Sequence, residues 1–221
     1  MVDYAAARER MVDSQLRPAD VTSYPLLAAM LEEPREAYLP SELRPLAYAD
    51  IDLAVPGSLP GRRALLAAVT FARMVQAAEI GRNDVVLDVG SLTGYSTAVL
   101  SRLAGTVVAL EEDPAFVADA SGRLAELGHD NIAVVQGPLV AGCPDEAPFD
   151  VVIVNGAVEL EPSALLRQLK DGGRLAVVEG VGKAGRAVLY RRVGDDFGRT
   201  SITNAAAPLL PGFEKPKVFQ F

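Results

Sequence analysis

The chain has 221 residues, half of them hydrophobic and 23% charged, enough for one well-buried core. Its net charge of −8, with Asp and Glu spread throughout, argues against sequence-independent nucleic-acid binding, which needs basic surface to neutralise phosphate. The single cysteine, Cys143, excludes an internal disulfide and points to a reducing, cytoplasmic compartment.

No apolar run approaches membrane-spanning length, and the charges in Arg8-Glu9-Arg10 interrupt what a signal peptide would keep apolar, so no membrane partner is expected. Residues 1–80 read as a helical segment packing on a core formed by residues 81–221, the two making one structural unit. Within the first segment the pattern predicts helices over Tyr4–Leu16 and Val21–Leu31, the second capped by Thr22. Pro34, Pro40 and Pro45 then punctuate short helices, and Pro56, Gly57, Pro60 and Gly61 make Leu53–Arg63 a loop. A long helix is expected over Ala64–Ile80, ended by Gly81.

From residue 84 short valine-rich runs alternate with helical ones. Strands are expected at Asp84–Val89, Thr106–Glu111, Ile132–Gln136, Asp150–Val154 and Arg174–Glu179, and helices at Gly94–Leu103, Pro114–Leu127 and Pro162–Leu169. Two further strands, Ala187–Arg192 and one within Gly198–Ala205, complete seven. Asp113 before Pro114 is a capping signal. The tail Leu209–Phe221 is irregular, with Phe213, Phe219 and Phe221 expected to pack down. The implied fold is α/β, a doubly wound, mostly parallel seven-stranded Rossmann-like sheet with a helical N-terminal extension and its ligand site at the strand carboxyl ends.

The chemistry concentrates in Asp88-Val89-Gly90-Ser91-Leu92-Thr93-Gly94-Tyr95-Ser96, where an apolar strand ends on an acid and a glycine-bracketed turn opens a helix. Glu111 ends the next strand, 21 residues after Gly90, where an acid can grip two ribose hydroxyls. Nicotinamide dinucleotides want Gly-x-Gly-x-x-Gly, so that pyrophosphate meets the helix N-terminus; Gly90-x-x-x-Gly94 matches poorly. S-adenosyl-L-methionine carries no phosphate, and its class I turn, acid-x-Gly-x-Gly-x-Gly, keeps three of four positions here, with Leu92 at the middle glycine. Asp88, Gly90, Ser91, Gly94, Tyr95 and Glu111 are therefore the candidate cofactor residues, the first residues of the helix acting through backbone donors.

Several segments together resemble the protein-L-isoaspartate O-methyltransferase family. They are Met11–Arg17, Pro34–Pro40, Leu46–Asp50, Ala72-Arg73-Met74, Asp88–Tyr95, Pro148–Val154, Gln168–Leu175 and Val188–Arg192. The resemblance covers roughly residues 8–193, and the helical lead-in makes it specific. It implies a class I methyltransferase that moves a methyl group from S-adenosyl-L-methionine to the free α-carboxylate of an isoaspartyl residue in damaged proteins or peptides. The ester then collapses to a succinimide. A carboxylate is already ionised at neutral pH, so alignment rather than a general base is the task, and no catalytic residue is singled out.

Three positions depart from the family. Its substrate-positioning serine falls on Leu66. Its middle glycine is Leu92, whose side chain either points away or crowds the cofactor. Its Gly-Asp-Gly beside the adenine reads Gly137-Pro138-Leu139, leaving Gly137 as a cofactor candidate without the neighbouring carboxylate. On the substrate side Arg62 and Arg63 are candidates to hold a carboxylate, with solvated helix-start arginines as the plainer reading, and Asn155 faces the expected cleft. Asp150 is read as strand-end structure, Cys143 as a small filler and His129, the sole histidine, as a solvated turn residue, so no metal site is expected. Three functions remain open at this level: an isoaspartyl methyltransferase, a methyltransferase of the same ancestry with another substrate, and a non-catalytic binding or scaffold protein.

Overall fold

The structure is a computed structural model that describes residues 2–59 and 63–216. Arg62, Phe219 and Phe221 lie outside the described residues. The chain opens with α1 (Tyr4–Met11), capped by the Asp3 carboxylate, which accepts from the Ala6 N–H at 3.0 Å. The expected helix to Leu16 continues only as a wide π turn over Val12–Leu16, which buries Val12 and Leu16. The second helix, α2 (Tyr24–Glu32), starts later than expected, and Thr22 is not its cap. The Gln76 Oε1 atom takes that role, accepting from the Thr22 and Ser23 N–H groups at 2.7 and 2.9 Å, while Gln76 Nε2 donates to the Asp20 carbonyl. A side chain 53 residues away in sequence thus satisfies donors left free at a helix start.

The helix expected over Ala64–Ile80 is corrected at both ends. Leu53–Ala54 (β1) and Ala64–Leu65 (β2) form a small antiparallel ladder, Leu53 opposite Leu65 and Ala54 opposite Ala64, so part of the expected loop is a strand as well. Ala and Leu favour helix intrinsically, and tertiary pairing overrides that weak preference. Only Ala68–Ala78 (α3) is helical, and it ends on Glu79 in the left-handed conformation (φ 49°) rather than at Gly81. The Gly81 N–H instead donates to Asp84, opening the turn into the next strand.

That strand, β3 (Val85–Val89), is followed by α4 (Tyr95–Ser101), β4 (Thr106–Glu111), α5 (Pro114–Glu126), β5 (Ile132–Gln136), β6 (Phe149–Val158), α6 (Ser163–Arg167), β7 (Leu169–Glu179), β8 (Arg186–Val193) and β9 (Asp196–Asn204). The sheet runs β5-β4-β3-β6-β7-β8-β9, the first five strands parallel and β8 and β9 antiparallel. Asp113 caps α5 as expected, accepting from the Ala115 N–H at 2.9 Å. Asp150 serves the strand end, accepting from the Val85 N–H and pairing with Lys170. Cys143 is buried filler whose thiol burial pushes up to about 11.

One buried cluster joins the N-terminal helices, α3, the turn after β3 and one sheet face; a second lies on the opposite face and includes Phe213 from the tail. His129 corrects the sequence reading. Its side chain is 6% exposed, with Nδ1 2.9 Å from the Ser101 hydroxyl and Nε2 3.3 Å from buried Glu33, which also accepts from Tyr38 and Arg102. This polar knot ties the N-terminal segment to the end of α4. The chain order reverses between β3 and β6, which creates the switch-point crevice at their carboxyl ends.

Gln76 caps α2 from outside that crevice. Gln76→Ala is expected to lower stability in urea unfolding by about 1–2 kcal/mol, since two helix-start donors lose their acceptor; an unchanged midpoint would show that water replaces the amide.

Candidate cofactor and substrate cleft

At the switch point β3 ends in a turn with three left-handed residues, Gly90 (φ 75°), Leu92 (φ 54°) and Gly94 (φ 97°). Glycine adopts that conformation freely, whereas a leucine there is strained by about 1–2 kcal/mol. The turn is pinned to β4. Gly90 and Ser91 N–H groups both point at the Leu110 carbonyl, and the Leu92 N–H donates to Glu111 Oε2 at 2.9 Å.

Asp88 is fully buried on one side of the turn. It accepts from the hydroxyls of Ser96 and Thr97 at 2.7 and 2.6 Å and from Asn155 Nδ2 at 2.6 Å. Asn155 reaches it because β6 bulges between Ile153 and Ala157, two residues more than β7 spans opposite. Burial pushes the Asp88 carboxyl up to about 6, a rise that these three donors moderate and the Glu111 charge reinforces. Thr97 was invisible as a site residue in the sequence; the signal was a second hydroxyl next to Ser96 on the first turn after Gly94.

On the other side Glu111, also fully buried, receives a bidentate pair from Arg63, both contacts 2.6 Å, together with backbone N–H bonds from Leu92, Glu112 and Asp113. Arg63 is buried, with its guanidinium 5.8 Å from the Phe116 ring centroid. The plainer reading of Arg63 as a solvated helix-start arginine is therefore corrected: the residue lies at the entry to β2, and its side chain crosses the cleft. A Cβ placed on Gly90 would lie 3.2 Å from Arg63 Nη2 and 3.6 Å from the Leu210 side chain, so both side chains lie over the glycine turn. The preceding loop is fastened to the same wall, where Asp113 accepts from the Ser58 hydroxyl and the Leu59 N–H.

The remaining candidates fall close by. Tyr95 contributes its ring to the core, edge-on to Tyr38 at 5.7 Å and 4.8 Å beneath the Arg35 guanidinium, leaving only its backbone at the turn. Gly137 donates its N–H to the Glu111 carbonyl, and exposed Pro138 opens a short turn beside it. Leu66 and Leu92, each 2% exposed, line one cavity of about 10 Å³ together with Arg35, Ser91, Tyr95 and Asn155. Such a space holds one water. The buried Ser91 Oγ and Arg35 Nη1 have no partner among the described residues. Leu92 does not point to solvent; its side chain lines this cavity and joins the buried cluster. A second, open cleft of about 650 Å³ lies beyond Arg63, between β1–β2, the loop after β7 and the tail.

The donor set fits a nucleoside with an amino-acid tail. It offers one carboxylate beside a left-handed glycine turn, a second at the end of the adjacent strand, and an unpartnered hydroxyl between them. The space is closed by Arg63, Leu210 and Leu92, so occupancy requires these side chains to move.

A parallel sheet with this switch point and a glycine turn between two strand-end acids is the class I methyltransferase fold. The model of the family protein-L-isoaspartate(D-aspartate) O-methyltransferase matches residues 6–207. A protein-L-isoaspartate O-methyltransferase of Koribacter versatilis is 36% identical over 211 residues, 95% of this chain and 93% of that one. A solved protein-L-isoaspartate O-methyltransferase superposes with a TM-score of 0.81 at 26% identity, over 93% of this chain and 66% of that longer one. A Plasmodium falciparum structure described as a putative enzyme of this kind in complex with S-adenosyl-L-homocysteine shares the fold at 15% identity, with a TM-score of 0.72 over 94% and 97% of the two chains. The chain belongs to the protein-L-isoaspartate O-methyltransferase family.

Asp88 gives a pH signature. Its carboxyl is raised in the folded state, so its contribution to stability is complete below about pH 4 and disappears as pH rises through about 6. Two pH units correspond to on the order of 2–3 kcal/mol. Asp88→Asn is therefore expected to gain stability relative to the parent protein between pH 4 and 7 in urea titrations; a difference independent of pH would refute the assignment.

Proposed function

We propose that this chain methylates the free α-carboxylate of isoaspartyl residues in damaged proteins or peptides, using S-adenosyl-L-methionine. The observation that carries the reading is the pair of strand-end carboxylates, Asp88 and Glu111, on either side of the Gly90 turn in a chain of this family. The cofactor supplies an electrophilic methyl group on a sulfonium. Asp88, with Asn155 beside it, would hold the amino-acid end; Glu111 would hold the ribose hydroxyls. Gly90, Ser91, Gly94 and Tyr95 present backbone at the turn, and Gly137 flanks the adenine side. The acceptor oxygen is already anionic at neutral pH, so the residues act by positioning and by excluding water.

The net charge of −8 supports a partner other than nucleic acid, and the lone buried cysteine supports a cytoplasmic setting. Among the described residues no helix is long and apolar enough to cross a membrane. We read residues 1–80 and 81–221 as one unit, a reading supported by the cluster they share. The small size of the cavity lined by Leu66 and Leu92 favours a second reading, a homologue that keeps the fold without turnover.

Calorimetric titration with S-adenosyl-L-homocysteine separates the two. Saturable binding below millimolar concentration, followed by base-labile methyl label on an isoaspartyl peptide, is the expected outcome. Absence of heat at millimolar ligand would leave the non-catalytic reading standing.

A further inference from the structure

Arg63 occupies a boundary. Its guanidinium closes on Glu111 over the Gly90 turn, and the same residue lines the open 650 Å³ cleft on the other side. Two carboxylates, Asp52 and Glu214, also line that cleft, and among the described residues around it Arg63 is the one cation. While Arg63 is bound to Glu111, the described lining of the cleft offers an anionic guest two carboxylates and a guanidinium already paired. The family's substrate-positioning hydroxyl is missing three residues on, where buried Leu66 lines the small cavity beside Leu92 instead of this cleft.

We propose that Arg63 is an exchange latch and a substrate-positioning residue. When the Glu111 carboxylate is taken by ribose hydroxyls, the guanidinium is released into the neighbouring cleft and binds the substrate's α-carboxylate in place of the missing hydroxyl. Guanidinium and carboxylate match in geometry and form paired N–H···O bonds, as Arg63 already does with Glu111. In the exchange Glu111 replaces two guanidinium donors by hydroxyl donors and keeps its three backbone N–H bonds, while the guanidinium acquires the substrate carboxylate. Cofactor and substrate binding are then coupled, and by linkage the coupling is reciprocal. This inference rests on the methyltransferase reading and adds a residue and a coupling between the two sites to it.

The test uses S-adenosyl-L-homocysteine, a fluorescent isoaspartyl peptide and the same peptide with the α-carboxylate replaced by carboxamide. In the parent protein, saturating S-adenosyl-L-homocysteine is expected to tighten the carboxylate peptide at least tenfold and the carboxamide peptide not at all. Arg63→Gln is expected to bind S-adenosyl-L-homocysteine at least tenfold more tightly than the parent and to lose the gain in peptide affinity. Arg63→Lys keeps the charge without the paired donors and should retain part of that gain, a control that holds if the glutamine variant is poorly folded by thermal melt. If the parent binds S-adenosyl-L-homocysteine and either variant shows the parent's affinity and the parent's peptide gain, the latch is wrong while the methyltransferase reading stands. If neither parent nor variants bind it at millimolar concentration, both fall.

Discussion

Glu111 joins four parts of the molecule through one carboxylate. It ends β4, accepts the Leu92 N–H that fixes the glycine turn, accepts the Glu112 and Asp113 N–H groups that open α5, and receives both guanidinium donors of Arg63 from the start of β2. A buried carboxylate loses several kcal/mol of hydration, and the arrangement persists because every oxygen lone pair directed inward meets a donor. The turn, the helix start and the strand that closes the cleft are therefore positioned by one charge. Any ligand that uses Glu111 must replace the donors Arg63 brings.

Two of the three departures from the family follow one physical direction. Leu66 and Leu92 exchange a hydroxyl and a hydrogen for apolar volume, and both line the same one-water cavity, so they act together rather than as separate accidents. Burying two leucines gains about 1.5–3 kcal/mol each, which outweighs the strain of a leucine at φ 54°. Pro138 removes a backbone donor at the opposite edge of the site. The turn is thus held by hydrophobic packing around Leu92 and by the Arg63–Glu111 ion pair.

The sheet was legible because its strands are apolar runs bounded by turn residues. Thr106–Glu111 and Ile132–Gln136 agree residue for residue, and the hydroxyl-bearing turn was placed correctly by its glycines. What escaped was set by contacts distant in sequence. Ala64–Leu65 read as helix because their propensity is helical, and only pairing with Leu53–Ala54 makes them a strand. Gln76 as a cap, His129 against Glu33, and Arg63 on Glu111 each join residues dozens of positions apart. Nothing local in the sequence distinguishes an arginine that crosses a cleft from one in solvent.

The element carrying Arg63 stands outside the main sheet. β1 and β2 have two residues each and form their own ladder rather than joining the seven-stranded sheet, whereas Glu111 sits at the end of a strand hydrogen-bonded on both sides. Local opening follows such differences, since short ladders break at small free energy while central strands open only with global unfolding. Asp113 adds a second fastening to the loop, through Ser58 and Leu59, and because Asp113 also caps α5 that fastening ends on a rigid element. The cleft therefore has one fixed wall that bears the carboxylate and one light wall that bears the arginine. In the proposed latch, opening would leave Glu111 in place and move the arginine-bearing wall.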